Sequence, residues 1–223
     1  MPSNPNREYR SMELRAAKRE EGAEQSFFVE GYATTFNEEY ELFRDGHYIV
    51  MEQVDKNAFK DTDMSDVVFQ IDHEGRVYAR TRNGSLTLEV DDHGLLTKAN
   101  LGLTESSRSV YEDINAGLYD RMSFAFTVND ESYREEELDN GDVVLHRTIL
   151  GVSKLYDTSA VSFPANPFTD ISARSKEAID GEIKRFEAER LHEQEIKQMR
   201  MRILERLNHK EENTDERDQR NAD

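Results

Sequence analysis

The chain has 223 residues, of which 36% are hydrophobic and 34% are charged, and its 47 acidic and 29 basic residues give a formal net charge of -18. That acidity argues against a nucleic-acid partner, because phosphate contacts need clustered Lys and Arg, and the lack of Cys excludes disulfides and thiolate chemistry. No apolar run approaches the roughly 20 residues of a membrane span, and the N-terminus lacks the apolar stretch of a signal peptide. We therefore expect a soluble, cytoplasmic protein.

Most of the first 174 residues are predicted to be β-structure, after a disordered N-terminal extension over residues 1–11. Short runs of alternating or β-branched residues predict strands, and turn sequences such as Arg82-Asn83-Gly84 separate them. The predicted strands cover residues 12–16, 26–32, 67–71, 85–90, 95–101, 123–128, 143–150 and 159–162. Residues 12–174 are therefore predicted to form one β-rich domain.

One segment of this domain has a helical pattern. Residues 104–118 begin with Thr104 as an N-cap, place Val110 and Ile114 four residues apart and end at Gly117. These signals predict a helix that crosses between strands. Because an exposed sheet edge would need protection, the expected fold is a β-rich α+β domain, with a closed or nearly closed barrel flanked by helices.

Residues 175–223 form a different kind of segment. They hold 14 acidic and 11 basic residues, so the tail is nearly neutral and the first 174 residues carry a net charge of -15. Two short apolar stripes predict a helix over about residues 178–207, and the polar run after His209 predicts disorder. The helix is either a solvated terminal appendage or a docking helix for a partner coiled coil.

Two residues of the domain stand out as candidates for chemistry. His73 follows the strand-like run VVFQID, and strand ends commonly present catalytic groups. Ser123 lies between apolar neighbours, where a buried hydroxyl needs a hydrogen-bond partner such as His. Taken alone, both residues are more often structural than catalytic. We expect no metal or cofactor, since metal-ligand spacing and phosphate-binding loops are lacking.

The order of short motifs is more specific than any one residue. The chain resembles the prohead serine proteases of tailed phages (caudoviruses), the head maturation proteases. The blocks that carry this resemblance are MELR at 12–15, VEGYA at 29–33, TFN at 35–37, VDKNAF at 54–59, IDH at 71–73, GSLTL at 84–88, DHGL at 92–95, INAGL at 114–118, MSFAF at 122–126, LYDTSAV at 155–161 and PANP at 164–167. Together they span most of the predicted domain.

The resemblance implies a serine endopeptidase with a fold similar to herpesvirus assemblin. By motif, His73 corresponds to the general base, Ser123 to the nucleophile and Asp157 to the third member of a triad. Assemblin-like enzymes use a second His in that third role, so His146 is the alternative to Asp157. Triads are defined by geometry and role, not by chain order.

The resemblance also implies where the enzyme works and on what. We expect it inside the assembling prohead in the host cytoplasm, cutting the scaffolding segment of the major capsid protein and then itself. The break in composition near residues 173–176, and not the resemblance, suggests where it would cut itself. Its partners would be the capsid protein and further copies of itself, without nucleic acid or membrane. The main alternative is a non-enzymatic capsid assembly or scaffolding factor. A β-barrel esterase or small-ligand binder lacks supporting motifs.

Overall fold

The computed structural model describes residues 7–16, 27–162 and 173–220 of the chain. The chain divides into two compact units, residues 1–177 and residues 178–223. The first unit is built mainly from strands, which form two sheets. The second unit is helical.

The larger sheet has seven strands in the order β1-β10-β11-β5-β4, with β6 also pairing with β11, and β7 pairing with β6. The strand β11 organises this sheet, since one part of it pairs in parallel with β5 and a later part pairs in parallel with β6. The bounds are β1 Glu8–Glu13, β4 Tyr40–Asp45, β5 Tyr48–Val54, β6 Val68–Ile71, β7 Glu74–Arg80, β10 Arg121–Glu137 and β11 Val143–Val161.

The smaller sheet has four antiparallel strands in the order β2-β3-β9-β8. Their bounds are β2 Arg15–Ala16, β3 Phe28–Thr35, β8 Leu86–Val90 and β9 Gly94–Asn100. The buried Leu14 joins β1 to β2, so one continuous segment belongs to both sheets. At Gly31 a Cβ atom would lie 2.6 Å from the carbonyl oxygen of Glu13, so this close approach of backbones requires glycine.

Apolar residues from both sheets form one core. Val29 and Leu95 come from the smaller sheet, and Phe69, Phe124 and Leu155 from the larger one; none of these side chains has exposed surface. Full burial of such a side chain contributes about 1.5–3 kcal/mol. The core therefore holds β6, β10 and β11 in fixed positions.

The helix predicted over residues 104–118 is confirmed. It is α1 (Glu105–Asn115), and the Thr104 side chain caps it by accepting a hydrogen bond from Ser107 N at 3.1 Å. Val110 and Ile114 are buried, as their spacing predicts. Gly117 has a φ of +78°, the left-handed conformation that glycine supplies at helix ends. A 3-10 turn, Thr81–Asn83, lies between β7 and β8.

The prediction of a closed or nearly closed barrel is not confirmed. Among the described residues the strands form two open sheets, with β1 and β4 at the ends of the main path of the larger one. Strand periodicity carries no information about closure, and edges can be protected in other ways. Here β4 is only six residues long and carries Glu41, Arg44 and Asp45, charges that discourage pairing with another chain.

The boundaries of the domain also differ from those expected. β1 begins at Glu8, inside the segment 1–11 that was predicted to be a disordered extension. Its alternating charged residues resemble a solvated extension in the sequence, but Glu8 and Arg10 are buried in the folded domain. The boundary of the compact unit falls after Glu177, against a predicted boundary after residue 174.

The second unit contains most of α2 (Ala173–Arg220). The helix continues past His209, so the prediction of disorder was wrong for residues 210–220; Glu, Lys, Arg and Gln have high helix propensity even without apolar anchors. Leu191, Met199 and Ile203 are more than half exposed, so both interpretations of the helix stay open. None of the described helices is long and apolar enough to span a membrane.

Candidate active site

His73 lies in a two-residue hairpin turn. β6 ends at Ile71 and β7 begins at Glu74, and these two residues pair with each other. The turn residues Asp72 and His73 have φ values of 50° and 58°. Positive φ at both central positions is the pattern of a type I′ turn, which normally takes Asn or Gly. Such a conformation costs about 1 kcal/mol or more per residue and is typically retained at functional sites.

The end of β11 holds this strained turn in place. Asp72 N donates a hydrogen bond to the carbonyl oxygen of Ala160 at 2.9 Å. The Asp72 carboxylate accepts hydrogen bonds from Ser162 N at 2.8 Å and from Ser162 Oγ at 2.7 Å. Three hydrogen bonds therefore offset the strain and fix the position from which the His73 ring projects.

The imidazole of His73 contacts the carboxylate of Asp157. His73 Nδ1 and Asp157 Oδ1 are 2.5 Å apart, and the side chains are 18% and 4% exposed, respectively. The ring of Tyr9 packs edge-on against the imidazole, with 4.6 Å between ring centroids. The pair is thus largely shielded from water. An Nδ1–H that donates to the carboxylate leaves Nε2 unprotonated and able to accept a proton.

Asp157 has a second hydrogen-bond donor on its own strand. Ser159 Oγ donates to Asp157 Oδ1 at 2.9 Å, and Ser159 has no exposed surface. Residues two apart on a strand point to the same face, which is why the two side chains meet. One carboxylate oxygen therefore accepts from both His73 and Ser159.

Ser123 lies on the neighbouring strand and shares this face. In the register of β10 against β11, Ser123 is opposite Ser159 and Ala125 is opposite Asp157. Directly opposed residues lie on the same face with Cβ atoms about 4.5–5.5 Å apart. Ser123 is fully buried, and its Oγ has no hydrogen-bond partner among the described residues. A buried hydroxyl without a partner is uncommon and calls for an explanation.

We call His73, Asp157, Ser159 and Ser123 the histidine cluster. The structure brings the predicted residues His73 and Asp157 into contact and places Ser123 on the adjacent strand. His146 lies elsewhere on β11, where its Nδ1 is 2.7 Å from Glu39 Oε1 and its Nε2 is 3.4 Å from Glu136 Oε2. Asp157 lies eleven positions after His146 on the same strand, which corresponds to a separation of about 36 Å.

Three residues of this region were not singled out in the sequence. Tyr9 lies in the segment predicted to be disordered, and Ser159 and Ser162 belong to a predicted short strand without assigned roles. For Ser159 a signal was present, since a hydroxyl two residues from a candidate acid in a strand lies on the same face. For Tyr9 and Ser162 the contacts join segments far apart in the chain, and no local pattern predicts them.

A second set of polar side chains is buried on the other face of β1. Glu8 and Arg10 alternate with Tyr9 and so point away from the histidine cluster. Arg10 binds both carboxylate oxygens of Glu52 at 2.5 and 2.8 Å, and Arg147 bridges Glu8 and Glu52 at 2.8 and 2.6 Å. We call these four residues the arginine cluster.

The charges of the arginine cluster depend on one another. Burial alone would raise the pKa of Glu52, but the adjacent Arg10 and Arg147 override it and hold that pKa below its usual value. For Arg10 the signs are reversed: burial would lower its pKa, but the carboxylates of Glu52 and Glu8 raise it above its usual value. Tyr40 donates a further hydrogen bond to Glu52. The partners of Glu52, Arg10 and Arg147 therefore favour the ionised form of each of these three groups.

A histidine paired with an aspartate, beside a serine on the neighbouring strand, is the residue set of serine hydrolases. The family model of the caudovirus prohead serine protease matches residues 11–182, most of the chain. The chain therefore belongs to the caudovirus prohead serine protease family. Membership makes it a serine peptidase of phage head maturation, which works in the assembling prohead on capsid proteins. Neither the curated proteins nor the solved structures include a significant match.

Proposed function

We propose that this serine peptidase cleaves the scaffolding segment of the major capsid protein, with Ser123 as nucleophile, His73 as general base and Asp157 as the group that orients His73. The observation that carries the proposal is the 2.5 Å contact between His73 Nδ1 and Asp157 Oδ1, largely shielded from water. It favours the Nδ1–H tautomer and leaves Nε2 to accept the serine proton.

The reaction proceeds in two stages. His73 Nε2 takes the proton of Ser123 Oγ while the oxygen attacks the scissile carbonyl carbon, and Asp157 stabilises the imidazolium that forms. When the C–N bond breaks, His73 returns the proton to the leaving amine and an acyl-Ser123 remains. Water then attacks this ester and loses a proton to His73. His73 returns that proton to Ser123 Oγ as the ester C–O bond breaks, which frees the second product and the serine hydroxyl.

The state of Ser123 is consistent with this role. Its Oγ has no hydrogen-bond partner among the described residues, so no competing group holds its proton. Catalytic hydrogen bonds are often long in the absence of substrate and shorten when substrate binds. A structural serine at a fully buried position would be expected to have a partner.

The proposal extends to the chain itself and to its location. Self-cleavage near residues 173–176 would separate the protease domain from the helical unit, and copies of the chain would be both enzyme and substrate. The enzyme would act in the host cytoplasm, inside the prohead. A net charge of -15 on the first 174 residues would keep its affinity for packaged DNA low.

Co-expression with the capsid protein tests the assignment. Mass spectrometry of assembled particles should show a trimmed capsid protein with the wild-type chain and full-length capsid protein with Ser123→Ala, because loss of a nucleophile reduces kcat by about 10⁶-fold. His73→Gln should behave in the same way. The matched controls are Ser132→Ala, an exposed serine on the same strand, and His146→Gln, both of which should leave trimming intact.

Two results would contradict the proposal. A capsid protein trimmed equally well with Ser123→Ala would show that Ser123 is not the nucleophile. Assembly that requires the chain but proceeds without any trimming would favour the non-enzymatic assembly factor. Intact-mass measurement of the wild-type and Ser123→Ala chains in the same particles decides whether the chain cuts itself.

A further inference from the structure

Asp157 Oδ1 is shared between two donors in the histidine cluster. His73 Nδ1 lies 2.5 Å from it and Ser159 Oγ lies 2.9 Å from it. A carboxylate bound only by the imidazole could rotate about its terminal torsion, since such torsions are broad. The second donor arrives from the carboxylate's own strand and fixes the direction in which Oδ1 points.

Within the part of the chain that the structure describes, the hydroxyl of Ser159 makes one side-chain hydrogen bond, the one to Asp157. Ser159 has no exposed surface, so water does not compete for its proton. Its position is fixed by strand pairing with both neighbours, since it is opposite Ser123 on β10 and alongside Gln70 on β6. Ser159 thus lies between the two strands that carry the candidate nucleophile and the hairpin of His73.

We propose that Ser159 is a positioning residue, whose hydroxyl holds the Asp157 carboxylate so that Oδ1 binds His73 Nδ1–H and keeps Nε2 free for Ser123. This inference depends on the proposed triad and adds a fourth member to it. Ser159 acts through Asp157 and touches neither substrate nor reacting atoms. A charge-assisted hydrogen bond of this kind should contribute about 10- to 100-fold to the reactivity of Ser123.

The sharpest test compares Ser159→Thr with Ser159→Val in the full chain. The two variants have nearly the same shape and differ in one hydroxyl, so the cost of an added methyl group in a buried position is common to both. A fluorophosphonate probe, which an activated serine attacks with loss of fluoride, measures reactivity without a protein substrate. We expect the Thr variant to be labelled at close to the wild-type rate and the Val variant about 10- to 100-fold more slowly.

Controls separate this inference from the proposed function. Ser153→Ala removes another β11 hydroxyl, one that lies 2.8 Å from Thr127 Oγ1, and should leave labelling unchanged. If the probe labels wild type and Ser123→Ala alike, the proposed nucleophile is wrong. If it labels wild type at Ser123, and the Thr and Val variants react equally fast, the role of Ser159 is wrong. Label found on Ser159 itself would overturn both.

A second measurement does not depend on activity. The ¹⁵N chemical shifts of the His73 ring report which nitrogen carries the proton. With Ser159→Thr the ring should retain the Nδ1–H tautomer, and with Ser159→Val the second tautomer should become populated. Identical ring spectra for the two variants would overturn the proposal even in a preparation that the probe does not label.

Discussion

The histidine cluster and the arginine cluster, on opposite faces of β1, are both buried. They differ in whether all of their polar groups are hydrogen-bonded. In the arginine cluster each guanidinium bonds both Glu8 and Glu52, and Arg147 also bonds Glu131; Glu52 and Arg147 have no exposed surface. In the histidine cluster Asp157 is doubly bonded, but the hydroxyl of Ser123 has no partner among the described residues. Hydrogen-bonded polar groups stabilise a fold, whereas a buried hydroxyl without a partner costs free energy, a cost that the proposed role of Ser123 would explain.

The largest expected effect comes from Asp157→Asn. The amide would present an NH₂ group to His73 Nδ1, which favours the Nε2–H tautomer and so removes the base for Ser123. We expect kcat/KM for capsid-derived peptide to fall about 10⁴-fold while the fold is retained.

The control is Asp63→Asn, a partly exposed aspartate that pairs with Lys154 outside the histidine cluster. It should leave kcat/KM within a few-fold of wild type. A loss of less than about 10-fold for Asp157→Asn would remove Asp157 from the triad.

Arg147→Met should have the opposite profile, with a loss of stability. It leaves the buried carboxylates of Glu8 and Glu52 without one of their cations, and breaking a buried ion pair in this way costs about 3–5 kcal/mol. Urea denaturation measures the free energy of unfolding. Arg134→Met, at an exposed pair with Glu136, should change it by less than about 1 kcal/mol. Equal stability of the two variants would contradict the structural role of the arginine cluster.

Acid should weaken the arginine cluster in a predictable direction. The pKa of Glu52 is lower in the folded chain than its usual value, because Arg10 and Arg147 outweigh the effect of burial. The unfolded chain therefore binds a proton at higher pH, and the stability that Glu52 contributes is present above its ordinary pKa and is lost as the pH falls through the folded pKa. Thermal unfolding from neutral to acidic pH should show a steeper loss for wild type than for Glu52→Gln; parallel curves would refute this.

The smallest effect concerns the stability of Ser123→Ala. Removal of a buried hydroxyl that has no partner should leave the free energy of unfolding unchanged or raise it by about 1 kcal/mol. Ser159→Ala, which removes a bonded hydroxyl from the same face, should lower it by about 1–2 kcal/mol. Urea denaturation of both variants measures this contrast, and equal destabilisation would mean that Ser123 has a structural partner in solution.

Sequence periodicity predicted the elements whose burial alternates or follows the helical repeat. The strands β8 and β9 were predicted within one residue at each end, and α1 within three. β4, β5 and β7 were not predicted. Charged residues interrupt the apolar pattern of β4 and β7, whereas β5 is a mostly apolar run, YIVMEQV, that was not recognised as a strand. β10 and β11 proved much longer than predicted because irregularities in their pairing, between residues 125 and 131, reset the alternation that a sequence pattern relies on.

The two clusters were predictable to different degrees. Family motifs predict His73, Ser123 and Asp157 as a triad, whereas residue type and context alone favoured structural roles for His73 and Ser123. The arginine cluster was not predicted, because its hydrogen bonds join residues 42, 95 and 139 positions apart in the chain. In the sequence, Arg and Glu residues within a strand are typical of a solvent-exposed face. Burial of such residues depends on pairing across the whole sheet, which no local window contains.

The two hydrogen bonds from Ser162 to the Asp72 carboxylate suggest a lower limit on the length of an active chain. Ser162 supplies two of the three hydrogen bonds that hold the hairpin of His73, and it directly follows β11. A polypeptide that ends just after Ser162 keeps all the contacts described for His73, whereas one that ends before Ser162 loses the two hydrogen bonds to Asp72. The proposed cuts near residues 173–176 lie after Ser162, so loss of the helix would leave these two hydrogen bonds in place.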